Sequence, residues 1–82
     1  MPRFTVDVYY VESAPFKVKA NGAKHAAQKG LDLFNELDIA EGVEVEEVCV
    51  TPEGGNLQQA FSVDEGGCTV EDWTATYGAE SD

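Results

Sequence analysis

Apolar residues recur at steps of three and four between Asn21 and Leu37. Ala23, Ala26, Ala27, Gly30, Leu31 and Phe34 form one stripe, which Leu33 and Leu37 widen. That spacing predicts an amphipathic helix near residues 22–37, capped by Asn21, of about four turns and roughly 24 Å. Lys24, His25, Gln28, Lys29, Asp32, Asn35 and Glu36 fall on the other side and are expected to face water.

On either side of this segment the period drops to two. Phe4, Val6, Val8 and Tyr10 alternate with Thr5, Asp7, Tyr9 and Val11, the pattern of a strand with one apolar face. Pro15 lacks an N–H and pushes Ala14 toward extended geometry, so Glu12 to Pro15 read as a turn. Phe16, Val18 and Ala20 then alternate with Lys17 and Lys19, giving a short second strand paired with the first. Beyond the helix, Asp38 to Gly42 form the exit, with Gly42 able to take up a positive φ.

Val43 and Val45 have the opposite parity to Val48 and Val50, so a β-bulge around Glu46 and Glu47 is needed to bring both pairs to the core. A third strand is placed there. Thr51 to Asn56 is dense in turn residues, and Leu57, Gln59, Phe61 and Val63 alternate with Gln58, Ala60 and Ser62 as a fourth strand. Asp64 to Gly67 make another turn. For residues 68–77 two readings stay open. Thr69 and Asp72 fit the cap of a short helix burying Val70, Trp73 and Tyr77, the favoured reading, while Trp73, Ala75 and Tyr77 also fit a fifth strand. Residues 1–77 are therefore expected to form a single α+β domain, a four-stranded antiparallel sheet with one helix on one face (ββαββ), ending in a short extra element. Gly78 to Asp82 are expected to be a disordered tail.

Composition narrows the class. At 82 residues and 43% hydrophobic content, the chain suits one modest core. It has no apolar run long enough for a membrane span, and Met1 to Phe4 lead straight into strand alternation instead of a leader's apolar region. A soluble cytoplasmic protein is expected. Cys49 and Cys68 read as reduced thiols, with a disulfide as the lesser alternative.

Charge changes the picture more. Arg3, Lys17, Lys19, Lys24 and Lys29 all precede residue 32, opposed there by Asp7 and Glu12, whereas from Asp32 onward there are 14 acids and no Lys or Arg. The formal net charge is −11. Such a field repels nucleic acid and anionic membrane and attracts surfaces built to bind them.

Catalytic chemistry finds little support. His25 sits on the polar side of the helix with no Ser or Cys at a telling spacing, and Cys49 lies in a strand among acids that raise a thiol pKa. The glycine pairs lack the lysine and helix of a phosphate loop. The adjacent carboxylates Glu46 and Glu47, Asp64 and Glu65, Glu71 and Asp72 do not match the spaced ligands of a calcium loop. No catalytic residue, metal site or cofactor is expected. An acidic surface also serves solubility or adaptation to high salt, but here the acids are segregated, which favours a directed interaction. On an extended strand Glu44 and Glu46 project from one face about 6.8 Å apart, twice the roughly 3.4 Å per-strand charge spacing of duplex DNA. With Glu47, Glu53, Asp64, Glu65, Glu71 and Asp72 they form the candidate partner-binding set.

From Phe4 to Val50 the chain resembles the small α+β proteins carried by bacteriophages and mobile elements. The resemblance rests on the strand pair, the run Phe16, Lys17, Val18, Lys19, Ala20, an alanine-rich helix and a valine/glutamate strand. That group includes anti-CRISPR proteins, some of them acidic nucleic-acid mimics. It implies a non-enzymatic inhibitor acting in a host cytoplasm on a basic nucleic-acid-binding protein or complex, itself a monomer or weak dimer that binds neither nucleic acid nor membrane. The alternative is a scaffold domain that recruits another chain through exposed sheet edges or its lysine-bearing hairpin.

Overall fold

The computed structural model describes residues 2–37, 42–55 and 57–77. Strands β1 (Arg3–Tyr9) and β2 (Ser13–Lys19) form a hairpin, α1 (Ala23–Asn35) follows, and β3 (Glu47–Pro52), β4 (Gln58–Val63) and β5 (Val70–Tyr77) complete the order. All five strands make one antiparallel sheet, arranged β2-β1-β3-β4-β5. Because β1 lies between β2 and β3, the connection through α1 passes over it.

Period-two alternation supplies the buried face of the sheet. Phe4, Val6 and Val8 of β1 join Val18, Val48, Val50, Phe61 and Val70 in one cluster with Ala26, Ala27, Leu31 and Phe34 of α1. Helix and sheet meet closely at Gly30, where an added Cβ would lie 2.3 Å from Val6 Cγ1. At the other end of the stripe Phe34 meets Tyr10, with ring centroids 5.2 Å apart and tilted by 40°. The alanines and Gly30 are thus the residues that let the helix sit low on the sheet.

Several expectations are corrected. The sheet has five strands and the element order is ββαβββ, because residues 70–77 are strand and not a helical turn. Thr69 does not cap a helix: the N–H groups of Cys68 and Thr69 both donate to Asp64 Oδ1, at 3.0 and 3.2 Å. The β-branched and aromatic residues of this segment then follow their strand preference. Register shifts opposite Ala60, Phe61 and Val63 insert extra residues into β5, which is why its alternation reads poorly. Trp73, expected inside, is 55% exposed.

Pro15 does not mark the first turn but lies within β2, opposite Asp7. As the sheet's edge strand, β2 accommodates a residue that cannot donate a ladder hydrogen bond. The turn falls earlier, at Tyr10 to Glu12, where Tyr10 N–H donates to the Glu12 carbonyl at 3.0 Å. The helix is also shorter than its apolar pattern. Gly22 is its N-cap with no side-chain bond, Asn21 instead donates its backbone N–H to His25 Nδ1 at 3.1 Å, and Leu33 and Leu37 are exposed.

Strand β3 begins only at Glu47, so Val43 to Glu46, expected as the first part of this strand, lie before it. Glu47 is the register partner of Tyr9 while Glu46 N–H donates to the Tyr9 carbonyl at 2.7 Å, so two residues oppose one. Val43 and Val45 are packed against the core on one side of this irregularity, and Val48 and Val50 are buried on the other. Gly42 has φ 82°. The rest of the expected helix exit, Asp38 to Glu41, and the expected tail, Gly78 to Asp82, lie outside the described residues.

Candidate functional site

Strand direction decides where the charges meet. In an antiparallel sheet of this order, the end of β1, the starts of β2 and β3, the end of β4 and the start of β5 share one end of the sheet. Here Glu46 and Glu47 border an open groove of about 560 Å³ with Tyr9, Tyr10 and Glu12. Glu44, Asp64 and Glu65 border the neighbouring hollow of about 240 Å³ with Val43, Val45 and Val63. The bulge produces this arrangement, because turning Val43 and Val45 inward leaves Glu44 and Glu46 exposed on the same side of the chain.

Helix α1 also ends here. Asn35 Nδ2 donates to the Gly67 carbonyl at 2.8 Å, Gln28 Nε2 donates to the Cys68 carbonyl at 3.0 Å, and Val70 N–H donates to Gln28 Oε1 at 2.8 Å. Both side chains were expected to face water. Asn35 is exposed and Gln28 half-buried, and both also clamp the β4–β5 turn onto the helix. No basic residue lies in the last helical turn, so the negative pole of the helix adds to the carboxylate field.

The eight predicted residues do not all belong to this end. Glu44, Glu46, Glu47, Asp64 and Glu65 do, and Glu12, which the sequence reading did not select, joins them. Glu71 and Asp72, exposed near the start of edge strand β5, are at the same end but border neither hollow. Glu53 is at the opposite end, beyond β3, where its N–H donates to the Arg3 carbonyl at 2.9 Å. Asp64 belongs to the patch in position but not in role. Its Oδ1 holds Cys68 and Thr69, and the turn needs Gly67 at φ 71°, so this carboxylate shapes the loop and leaves Glu65 to face solvent. Trp73, next to Asp72 and with its Nε1 donating to Thr76 Oγ1 at 3.2 Å, is an exposed aromatic that the expected short helix assigned to the core.

The face of the sheet away from α1 carries a row of small and polar side chains along Pro15, Asp7, Cys49 and Ala60, which pair across β2, β1, β3 and β4. Cys49 is only 2% exposed. Burial, then the charge of Glu47 and a 3.7 Å contact from Sγ to Glu47 Oε1, push its thiol up to about 12. A thiol held protonated is a poor nucleophile. Burial likewise raises Asp7, and Tyr9 is raised by burial and by the neighbouring Asp7, Cys49 and Glu47 charges. Both cysteines are free, Cys68 being exposed. Among the described residues no group of three or more His, Cys, Asp or Glu is placed to hold a metal ion, and no helix is long and apolar enough to cross a membrane.

No family model, curated protein or solved structure matches the chain.

Proposed function

We propose that the protein is a non-enzymatic binding protein whose acidic end occupies, and so blocks, the nucleic-acid-binding surface of a basic protein or complex. The observation that carries this reading is the convergence of Glu12, Glu44, Glu46, Glu47 and Glu65 from three separate segments at the end where α1 presents its negative pole. Small phage-carried inhibitors of CRISPR complexes, which the chain resembles in architecture and charge, are the matching functional class, and a host cytoplasm the matching compartment. The scaffold alternative through sheet edges is less well supported. Edge strand β2 carries Pro15, Lys17 and Lys19, and edge strand β5 is irregular in register and bears Glu71 and Asp72, all features that discourage edge pairing.

The test is a pull-down from host lysate followed by titration of the captured partner. Binding is expected to weaken steeply between low and moderate salt and to compete with the partner's own nucleic acid. Glu44→Lys/Glu46→Lys should abolish it while the fold survives, because both side chains are exposed. An exposed ion pair contributes about 0.2–1 kcal/mol, so a single Glu→Gln change should do little. Normal binding by the doubly reversed variant, with failure of Lys17→Glu/Lys19→Glu, would establish the scaffold reading instead.

A further inference from the structure

The other end of the sheet holds an arrangement that the acidic patch does not explain. Arg3 and Lys19 are direct register partners on β1 and β2, and Lys17 follows two residues before Lys19, opposite Thr5. Alternation puts Arg3, Thr5, Lys17 and Lys19 on the face away from the helix, since Phe4 and Val18 between them are in the core. Like charges placed directly across an antiparallel pair oppose the pairing. Nothing in the fold offsets that cost by hydrogen bonding. Among the described residues the side chains of Arg3, Lys17 and Lys19 have no hydrogen-bond partner, while nearby Lys29 donates through Nζ to the Lys19 carbonyl at 2.6 Å and holds the end of β2 in place.

These side chains line a half-open concavity of about 290 Å³ together with Thr5 and Glu53. Three positive charges against one carboxylate leave the hollow two charges in excess. We propose that this concavity is an anion site for a phosphate monoester, whose charge of about −1.5 to −2 at neutral pH matches that excess. Arg3 would supply the planar fork suited to two phosphate oxygens, Lys17 and Lys19 point charges, and the Thr5 hydroxyl a neutral donor. A compact dianion suits the hollow better than a nucleic-acid strand, because a strand running beyond it meets the field of a chain whose net charge is −11. The site is separate from the acidic end and stands or falls independently of the proposed inhibitor function.

The experiment is a two-dimensional amide NMR titration of the intact protein, at low ionic strength and neutral pH. The probes are inorganic phosphate, glycerol phosphate, a 5′-mononucleotide and a phosphodiester dinucleotide. Shifts confined to Arg3, Thr5, Lys17, Lys19 and Glu53 are expected, with the monoesters binding more tightly than the diester. Arg3→Gln and Lys19→Gln should each weaken binding about tenfold, and Lys24→Gln, a helix-surface cation outside the hollow, should leave it unchanged. Both hollow variants should also melt at a higher temperature than the parent in phosphate-free buffer and lose the parent's phosphate-dependent rise. Binding of inorganic phosphate but not the esters would overturn the ester assignment. Tighter binding of the diester would indicate a nucleic-acid backbone. Shifts spread over all five cations, or none by tens of millimolar phosphate, would overturn the site.

Discussion

The two ends of the sheet are built from the same strands yet carry opposite charge. At the end where β1 turns into β2 and β4 into β5, Glu12, Glu44, Glu46, Glu47 and Glu65 gather with no Lys or Arg, whereas at the other end Arg3, Lys17 and Lys19 share one hollow with Glu53. Separation of charge along the chain does not by itself create this polarity. Strand direction does: the cations fall at the start of β1, the later part of β2 and the first turns of α1, while the later acids fall at the starts of β3 and β5. Glu53 shows the rule by its exception, since the β3–β4 turn carries it to the basic end. A strand of six to eight residues spans roughly 20–27 Å, two and a half to three and a half times the Debye length of about 8 Å in physiological salt. The two ends therefore act on their surroundings almost independently.

The largest expected effect comes from breaking the frame that both ends share. Gly30→Ala would place a Cβ 2.3 Å from Val6 Cγ1 and 2.7 Å from Val6 Cβ, inside a fully buried contact. Overpacking of this kind costs about 3 kcal/mol, which for a domain of this size lowers the melting temperature by roughly 12–24 °C. Gly30→Ala/Val6→Ala should recover part of the loss, because the second change opens the space that the first one needs. Thermal melts of both variants check this. An unchanged melting temperature for Gly30→Ala would mean that helix and sheet are not in the close contact that holds the two ends in register.

This frame was legible in the sequence because it rests on local periodicity. The helix stripe from Ala23 to Phe34, the alternation in β1 and β2, and the parity break at Glu46 and Glu47 each state which side of the chain is apolar. Residues whose role depends on a distant partner were not legible. Gln28 and Asn35 gave no sign of their hydrogen bonds to the β4–β5 turn because the acceptors, on Cys68 and Gly67, lie more than thirty positions away. Trp73 read as core because Val70, Trp73 and Tyr77 have helical spacing behind an apparent cap at Thr69, whereas the segment is a strand with extra residues that blur its alternation. The candidate site divided the same way. Alternation gave Glu44 and Glu46 as exposed, as they are, but separating Glu53 from them required the turn order of the whole sheet.

A smaller effect measures how far the acidic end reaches toward the middle of the sheet. Cys49 is held at about 12 first by burial and then by Glu47. A thiol raised in this way contributes stability that is intact below its ordinary value near 9 and is lost as pH climbs from there through 12, because the unfolded chain releases the proton first. Stability should therefore fall above pH 9 in the parent and fall less in Cys49→Ala. Glu47→Gln should lower the thiol pKa without returning it to its ordinary value, as burial persists, and Lys17→Gln should leave it where it is. Thiolate absorbance against pH, recorded in a Cys68→Ser background, provides the measurement. Equal movement in the Glu47 and Lys17 variants would show that the two ends do not differ in their reach.

The smallest effect tests the midline itself. Asp7 lies between the two ends, paired with Pro15 on one side and Cys49 on the other, and burial alone raises its carboxyl above the usual value of 3.8. A carboxyl with a raised pKa favours the fold while it is protonated. That contribution is complete below 3.8 and disappears as pH rises through the folded value, so at pH 7 the ionised group is a net cost. Asp7→Asn keeps the shape and removes the charge. It should stabilise the protein at pH 7 by about 0.5 kcal/mol or less, a rise of roughly 2–4 °C, and give no gain at pH 3, where both side chains are neutral. General relief of the net charge of −11 would also stabilise, so Glu12→Gln, which removes one exposed acid at the acidic end, is the control. A larger gain for Asp7→Asn than for Glu12→Gln, vanishing in acid, assigns the cost to burial at the midline. Equal gains would assign it to the field of the acidic end, which would then extend across half the sheet.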